Sequence, residues 1–528
     1  GFTVIHSTNK AHGSSLLTGY QALRAEGFLC DVTLEAEGSE FPAHRSLLAC
    51  SSDYFRALFK SHTQESRARV IHLHVPSAAG LQRLLDFIYT AWLPLSMDTV
   101  EDTLEAASYL QVTEALGLCA HYLERQLTPE NCCFTANVAA RFGLARTLGA
   151  AEHCIVRHLG ELLLMGAGPS GLLELNPISM KAVLGAPNVA RVAETRLLRL
   201  ALAWLQQEPT TQRLAHSSTL LGCIRFGLVP ASVLRRMYSG SGLILPTRIK
   251  SLIIQALNYH TAPSSQPLLQ GEQTSVRSPQ TRILLVGGLR ARETVTEEIM
   301  VLPELTQDVV SFDVYNHSWH TLTQLPTPLL GHSVCTIGNF LFVLGGESLS
   351  GSPSSSLADG SRSVTALVHR YDPRFHTWTE VPAMREARAY FWCGVVGESL
   401  LAVGGLGTCG EALASVEMYD LRRDRWVAAG ELPRAVHGHA GAVGDHGVVY
   451  ISGGKAGRGR YEPFSEIERY DPSTDQWTRL RSLPYDRFCY GLAVVEETVL
   501  LLGGLKWRDS RQVPTRNVVG YDLDLDRW

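Results

Sequence analysis

One motif recurs five times in the second half of this chain with a fixed internal spacing. A short apolar run ends in a glycine pair at Gly287-Gly288, Gly345-Gly346, Gly404-Gly405, Gly453-Gly454 and Gly503-Gly504. Each pair is followed by an aromatic–Asp pair and then a tryptophan: Phe312-Asp313 with Trp319, Tyr371-Asp372 with Trp378, Tyr419-Asp420 with Trp426, Tyr470-Asp471 with Trp477, and Tyr521-Asp522 with Trp528. The aromatic precedes its tryptophan by seven residues each time, while successive tryptophans stand 48 to 59 residues apart. A unit of that length, with several short strand patterns separated by Gly, Pro and Asp, has enough chain for one four-stranded blade of a β-propeller. In such a blade the glycines let backbone turn or pack closely where a Cβ would intrude, and the aromatic rings fill the space between neighbouring sheets.

The repeat also settles what the glycines are not. Gly405-Leu406-Gly407-Thr408-Cys409-Gly410 spells the dinucleotide fingerprint G-x-G-x-x-G at the end of a probable strand. That fingerprint needs a helix next, in a βαβ unit, and here the strand pattern SVEMYD and a turn follow instead. The stretch is the third diglycine with two accidental glycines after it. Other reactive patterns are equally thin. His72 and His74 alternate on one predicted strand, and His437, His439 and His446 surround another, but neither set has a further ligand at a fitting spacing. Cys132-Cys133 opens a helix and reads as packing, and no G-x-S-x-G, H-E-x-x-H or P-loop is present. The expectation is a protein without catalytic residues, cofactor or metal.

Bulk properties narrow the class further. At 528 residues the chain has room for about three or four domains at ~150 residues each. Hydrophobic content of 45% and charged content of 19% are those of a folded protein with several cores. A net charge of −4 gives no whole-chain argument for nucleic acid or an anionic membrane as partner. No apolar run approaches the ~20 residues that span a bilayer. The 11 cysteines include no C-x-x-C pair, which suits reduced thiols in the cytoplasm or nucleus. The opening GFTVIHSTNKAHGSS lacks the basic and apolar regions of a signal peptide and lacks a methionine, so the chain is expected to begin inside a longer product.

The first half mixes periodicities. Leu16, Leu17, Tyr20 and Leu23 recur at helical spacing on a segment ending near Gly27. CDVTLEAEGSEFPAH alternates, with Val32, Leu34 and Ala36 facing one way and Gly38 at a turn. Ser52-Asp53 is placed to cap a helix with the apolar stripe Phe55, Leu58 and Phe59. VIHLHVP predicts another strand, and LQRLLDFIYTAWL and TVEDTLEAASYLQVTEALGLCAHYLERQL predict helices. From LTPENCC to about Tyr259 the pattern is helical throughout, with Leu197, Ala201, Trp204 and Leu205 on one face of a segment stopped at Glu208-Pro209. TAPSSQPLLQGEQTSVRSPQ, rich in Ser, Gln and Pro, reads as a linker.

Three resemblances follow from these residues. FLCDVTLEAEGSEFPAHRSLLACSSDYFRALF and LLDFIYT closely resemble a BTB/POZ domain, Glu194, Trp204 and LLGCIRFGLVP resemble a BACK domain, and the diglycine, Tyr-Asp and Trp series resembles the kelch repeat. The expected organisation is an α/β BTB/POZ domain at 1–127, an all-α BACK domain at 128–262, a linker at 263–281 and an all-β kelch propeller at 282–528. Relatives of this type usually have six repeats, so the five here are either a five-bladed ring or, the favoured expectation, part of a six-bladed one. In that order the domains resemble kelch-like substrate adaptors of cullin-3 RING ubiquitin ligases, which work by holding a substrate near a charged E2 enzyme. Some kelch relatives bind actin, so a non-catalytic cytoskeletal scaffold is the alternative. BTB transcription factors carry zinc fingers, and this chain has none.

The resemblance also places roles. Tyr54, Phe59, Thr63 and Glu65 match the cullin-facing positions, where relatives carry an apolar residue, any residue and then Glu. Here Thr63-Gln64-Glu65 keeps the glutamate and puts a threonine at the apolar anchor, which weakens binding. Leu16, Leu17, Tyr20 and Leu23 match a helix that packs against a second copy and makes a homodimer. Sixteen residues before the last four diglycines stand Leu329, Arg388, His437 and Arg487, the column where relatives often place ligand-binding arginines. With Lys455, Arg458, Arg460 and Arg508 in neighbouring loops, these residues lead to the expectation of a substrate with an acidic degron.

Overall fold

A computed structural model of the chain describes residues 12–61, 67–164, 171–189, 192–207, 210–240, 244–277, 282–290, 304–314, 317–349, 362–456, 464–482, 490–508 and 511–528. The chain falls into two compact units, Gly1–Ile224 and Arg225–Trp528.

In the first unit, helix α1 (His12–Ala25) precedes a hairpin of strands β1 (Val32–Ala36) and β2 (Ser39–Ala43). Glu37 and Gly38 turn it, both at positive φ (50° and 76°), as a tight two-residue hairpin requires. The alternation read from the sequence is met: Val32, Leu34 and Ala36 are buried. Helices α2 (Arg45–Ser51) and α3 (Asp53–Lys60) follow, and Ser52 caps α3 by accepting the Phe55 N–H at 3.1 Å. Strand β3 (Val70–His72) pairs in parallel with β1, giving the order β2-β1-β3. The helix Ala78–Thr90 lays Leu81, Leu84, Leu85 and Ile88 into the same core. The remaining described elements of the unit are helices, and Trp204 is buried with its indole N–H donating to the Leu175 carbonyl at 2.9 Å.

Among the described residues the second unit holds five antiparallel sheets of three or four strands, besides three two-stranded ribbons. The first has strands Ile283–Val286, Asp308–Asp313 and Ser318–Gln324. The second has Ser333–Ile337, Phe340–Leu344, Val368–Asp372 and Thr377–Val381 in chain order across the sheet. The third has Trp392–Val396, Ser399–Val403, Val416–Asp420 and Arg425–Ala429. The fourth has Ala440–Val443, Val449–Ser452, Ile467–Asp471 and Gln476–Arg479. The fifth has Gly491–Val495, Thr498–Leu502 and Val518–Asp522.

Each part of the motif has a mechanical role. The aspartate after the tyrosine folds the next turn: Asp372, Asp420, Asp471 and Asp522 accept the N–H of the residue two further on at 2.9–3.1 Å. The tyrosine hydroxyl then bonds the residue five further on, which sits at positive φ: His376, Asp424, Asp475 and Asp526. Across the strand pair the ring lies against its tryptophan, with centroids 4.9–5.2 Å apart. The tryptophan reaches back to the preceding sheet. Trp378 donates to Thr323, Trp426 to the Pro382 carbonyl, Trp477 to that of Gly430 and Trp528 to that of Ser482. Trp319 belongs to the first sheet, which no described sheet precedes, and is 54% exposed.

The glycine pair is fixed by close approach. A Cβ on Gly345 would stand 2.3 Å from the Arg388 carbonyl oxygen and 2.9 Å from the Phe391 ring of the next sheet. His439 approaches Gly404 and Tyr490 approaches Gly453 in the same way, so the next sheet's ring occupies the space that glycine leaves.

Residues 263–277, read from composition as a linker, are packed within this unit. Arg374 is buried beside Asp372 and donates to the Tyr259 hydroxyl at 2.8 Å and to Gln266 Oε1 at 2.9 Å, while Arg370 donates to the Pro263 carbonyl. Arg225 donates to the Ser275 carbonyl at 2.7 Å. The glutamine and carbonyl groups that suggested a solvated spacer are the acceptors of these arginines.

Candidate functional site

The residues expected to choose the substrate meet different fates in the folded propeller. Arg388 is fully buried. Its guanidinium donates to the Gly404 carbonyl at 2.7 Å, the Ser415 carbonyl at 3.1 Å, the Ser415 hydroxyl at 3.2 Å and Glu417 Oε1 at 2.6 Å. Glu417 also accepts the backbone N–H groups of Arg385 at 2.7 Å and Glu386 at 3.1 Å. The expectation that Arg388 meets a substrate carboxylate is therefore corrected: it holds the third sheet together, and its charge is already matched.

His437 is also displaced from its expected place. Backbone pairing aligns the sheets independently of residue counts. The Gly346 N–H donates to the Arg388 carbonyl, and the equivalent Gly405 N–H donates to that of Val436. Val436 is thus the counterpart of Arg388, and His437 is the counterpart of Ala389. The turn Asp445–Gly447 lengthens the fourth sheet's first hairpin and shifts the count by one. His437 and Lys455 exchange backbone hydrogen bonds at 3.0 and 2.9 Å, which brings two of the expected residues together at the open end of the sheet's first hairpin. Arg508 ends the strand Leu505–Arg508, paired with Arg511–Pro514. Arg458, Arg460 and Arg487 lie outside the described residues.

The rim carries residues that the sequence reading passed over. Tyr390 takes the left-handed backbone (φ 52°) that Gly331 and Gly438 adopt at the same place in their sheets. Its ring lies where a Gly331 Cβ would be, and its hydroxyl donates to Glu347 at 3.3 Å. Glu417 and Glu468 both stand two residues before the motif tyrosine, a recurrence visible in the sequence and left unused.

In the first unit, Tyr54 and Phe59 are half-buried on α3, each with one side against the core. Phe59 stacks on Phe55 at 5.7 Å, and the Arg45 guanidinium lies 4.8 Å above its ring. Thr63 and Glu65 lie outside the described residues. Helix α1 has no buried residue: Leu16 is 54% exposed, Leu17 and Leu23 are half-buried, and Tyr20 meets His44 edge to face at 5.3 Å.

The histidines do not assemble. His72 Nδ1 lies 2.7 Å from Glu35 Oε2 on the adjacent strand, and His446 sits in a turn at φ 56°. Burial lowers the pKa of His439 to about 4. Among the described residues no group of three His, Cys, Asp or Glu side chains is placed to share a metal ion.

Comparison with known proteins agrees with this architecture. Residues 20–127 match the BTB/POZ domain, 132–239 match the family described as BTB And C-terminal Kelch, and 273–504 match the KLHDC2/KLHL20/DRC7 Kelch-repeats domain. The chain is 75% identical to Kelch-like protein 34 of Homo sapiens, an alignment covering 98% of this chain and 92% of that protein. It is 32% identical to Kelch-like protein 9 of Mus musculus, over 99% of this chain and 89% of the relative. It is 30% identical to Kelch-like protein 36 of Bos taurus, over 98% and 89%. With BTB, BACK and kelch regions in this order and relatives matched over nearly its whole length, the chain belongs to the kelch-like family, whose architecture is that of a substrate adaptor.

Proposed function

We propose that this protein is the substrate-recognition adaptor of a cullin-3 RING ubiquitin ligase, acting in the cytoplasm. The observation that carries the reading is the presence, in one chain, of a BTB domain, a BACK domain and a kelch propeller. The BTB domain binds the cullin through Tyr54, Phe59, Thr63 and Glu65. It dimerises through α1, whose exposed Leu16 gives a second copy apolar surface to cover. The propeller rim, including His437 and Lys455, captures the substrate. The chain does no chemistry itself: holding substrate lysines near a charged E2 raises their effective concentration. The expectation of an acidic degron loses Arg388, whose charge is matched by Glu417.

The test is immunoprecipitation of the full chain from cells in which cullin neddylation is blocked, followed by mass spectrometry. The adaptor reading predicts cullin-3 and a substrate in the precipitate. Co-sedimentation with actin filaments, without cullin-3, would replace it with the cytoskeletal scaffold.

A further inference from the structure

The third and fourth sheets differ at one buried place. In the third, Arg388 and Glu417 form the ion pair described above, and the Gly404 and Ser415 carbonyls accept further hydrogen bonds from the guanidinium. In the fourth, the acid is kept: Glu468 is opposite Ile451 as Glu417 is opposite Ala402. The arginine is replaced by Val436, and Arg385, which gives Glu417 a backbone N–H, is replaced by Pro433, which has none. Two of the donors that serve Glu417 are therefore lost at Glu468.

What remains is a cavity of about 30 Å³ lined by Val436, Ser452, Gly453, Glu466 and Glu468, the counterparts of Arg388, Val403, Gly404, Ser415 and Glu417. Arg479, opposite Glu468 on the neighbouring strand, pairs with Glu468 Oε1 at 3.2 Å and lies 3.8 Å from Glu466 Oε1, as Arg434 does, so one oxygen of Glu468 and one of Glu466 already have a cation beside them. Glu468 Oε2 is buried and has no hydrogen-bond partner among the described residues. Burial raises the pKa of Glu468 in spite of the Arg479 hydrogen bond, which lowers it. Ser452 donates to the Glu466 backbone carbonyl at 3.1 Å, the counterpart of the Ser415 carbonyl that accepts from Arg388, and gives Glu468 no donor. One water needs ~10–15 Å³ by this measure, so the space suits a flat head about two waters in size, and not a whole amino acid.

We propose that this cavity is a guanidinium site and takes an arginine side chain presented by a peptide segment of a partner protein. The internal repeat is the template: the third sheet fills the equivalent space with its own arginine, using the equivalent carboxylate and carbonyls. Arginine suits the site better than lysine because its planar fork can meet the Glu468 carboxylate and a carbonyl at once. The ligand's backbone stays outside, where Phe464, with Arg434 4.4 Å above its ring, borders the opening. The inference deepens the adaptor reading by giving one residue type in the substrate, and it reverses the charge expected of that residue.

The test titrates the full chain with acetyl-Gly-Arg-Gly-amide, with its citrulline counterpart, which is neutral and nearly isosteric, with its lysine counterpart and with free L-arginine. Arginine peptide is expected to bind at least tenfold more tightly than citrulline or lysine peptide and more tightly than the free amino acid. Glu468→Gln should abolish the preference over citrulline. Val436→Arg, which copies the third sheet, should occupy the cavity from within, abolish peptide binding and raise the melting temperature. Equal binding of arginine and citrulline peptides overturns the proposal, as does arginine binding that survives Val436→Arg. Stabilisation by Val436→Arg without any arginine binding in wild type overturns it too, leaving a packing void. Cullin-3 binding is measured on the same preparations, so a failed adaptor reading is seen separately from a failed cavity.

Discussion

Replacing Arg388 with leucine separates a structural arginine from a ligand-binding one. The side chain is fully buried and its Nη2 lies 2.6 Å from Glu417 Oε1, so its loss leaves a carboxylate in the interior without its cation. Breaking a buried pair from one side costs about 3–5 kcal/mol. Glu417 keeps the Arg385 and Glu386 N–H groups, which places the cost near the lower end, about 3 kcal/mol. For a unit of about 300 residues that lowers the melting temperature by roughly 5 °C. The second sheet has Leu329 and His369 at the equivalent positions, so the double change Arg388→Leu with Glu417→His copies a working arrangement. It should recover at least half of the loss, a coupling that independent sites do not show. Thermal and urea denaturation of the full chain, followed by tryptophan fluorescence, read both variants. A shift below about 2 °C for Arg388→Leu, or losses that simply add in the double variant, would refute the assignment and restore Arg388 to the ligand surface.

Three further outcomes follow from the same geometry. Gly345→Ala puts a Cβ 2.3 Å from a carbonyl oxygen, whereas Gly288→Ala meets nothing within 4 Å, so the first should cost well over the ~1–2 kcal/mol of left-handed strain that the second shows in chemical denaturation. His439, with its pKa lowered from 6.5 to about 4, stays neutral in the fold where the unfolded chain takes a proton, so its contribution is present above pH ~6.5 and is lost as pH falls toward 4. That amounts to roughly 3 kcal/mol, and His439→Phe, copying Phe391, should flatten the acid limb of a stability–pH curve. Leu16→Asp charges the exposed face of α1 and should shift the full chain from dimer to monomer in micromolar sedimentation runs; a wild-type monomer would contradict the dimer interface.

The sequence made the fold legible because repeated residues repeat for mechanical reasons. Tyr419, Asp420 and Trp426 recur because a hydroxyl must reach a left-handed turn residue, a carboxylate must fold that turn and an indole must reach the preceding sheet. The α3 cap at Ser52 and the alternation of Val32, Leu34 and Ala36 were legible for the same local reasons. The site was less so. Counting back from the glycines found Arg388 but not its burial, because a motif column records position and not whether an acid stands beside it. The extra turn at Asp445–Gly447 moved Val436 out of the column and His437 into it. Residues 263–277 looked like a spacer because composition does not reveal that Arg370 and Arg374 bond them.

Calorimetric titration of the full chain with the N-terminal domain of cullin-3 tests the adaptor role most directly. Wild type should bind with an affinity limited by Thr63 at the apolar anchor. Thr63→Met should tighten binding by ~10- to 100-fold, the value of about 1–3 kcal/mol for one buried apolar side chain. No heat of binding from wild type or from Thr63→Met, with the BTB domain folded, would contradict the central claim.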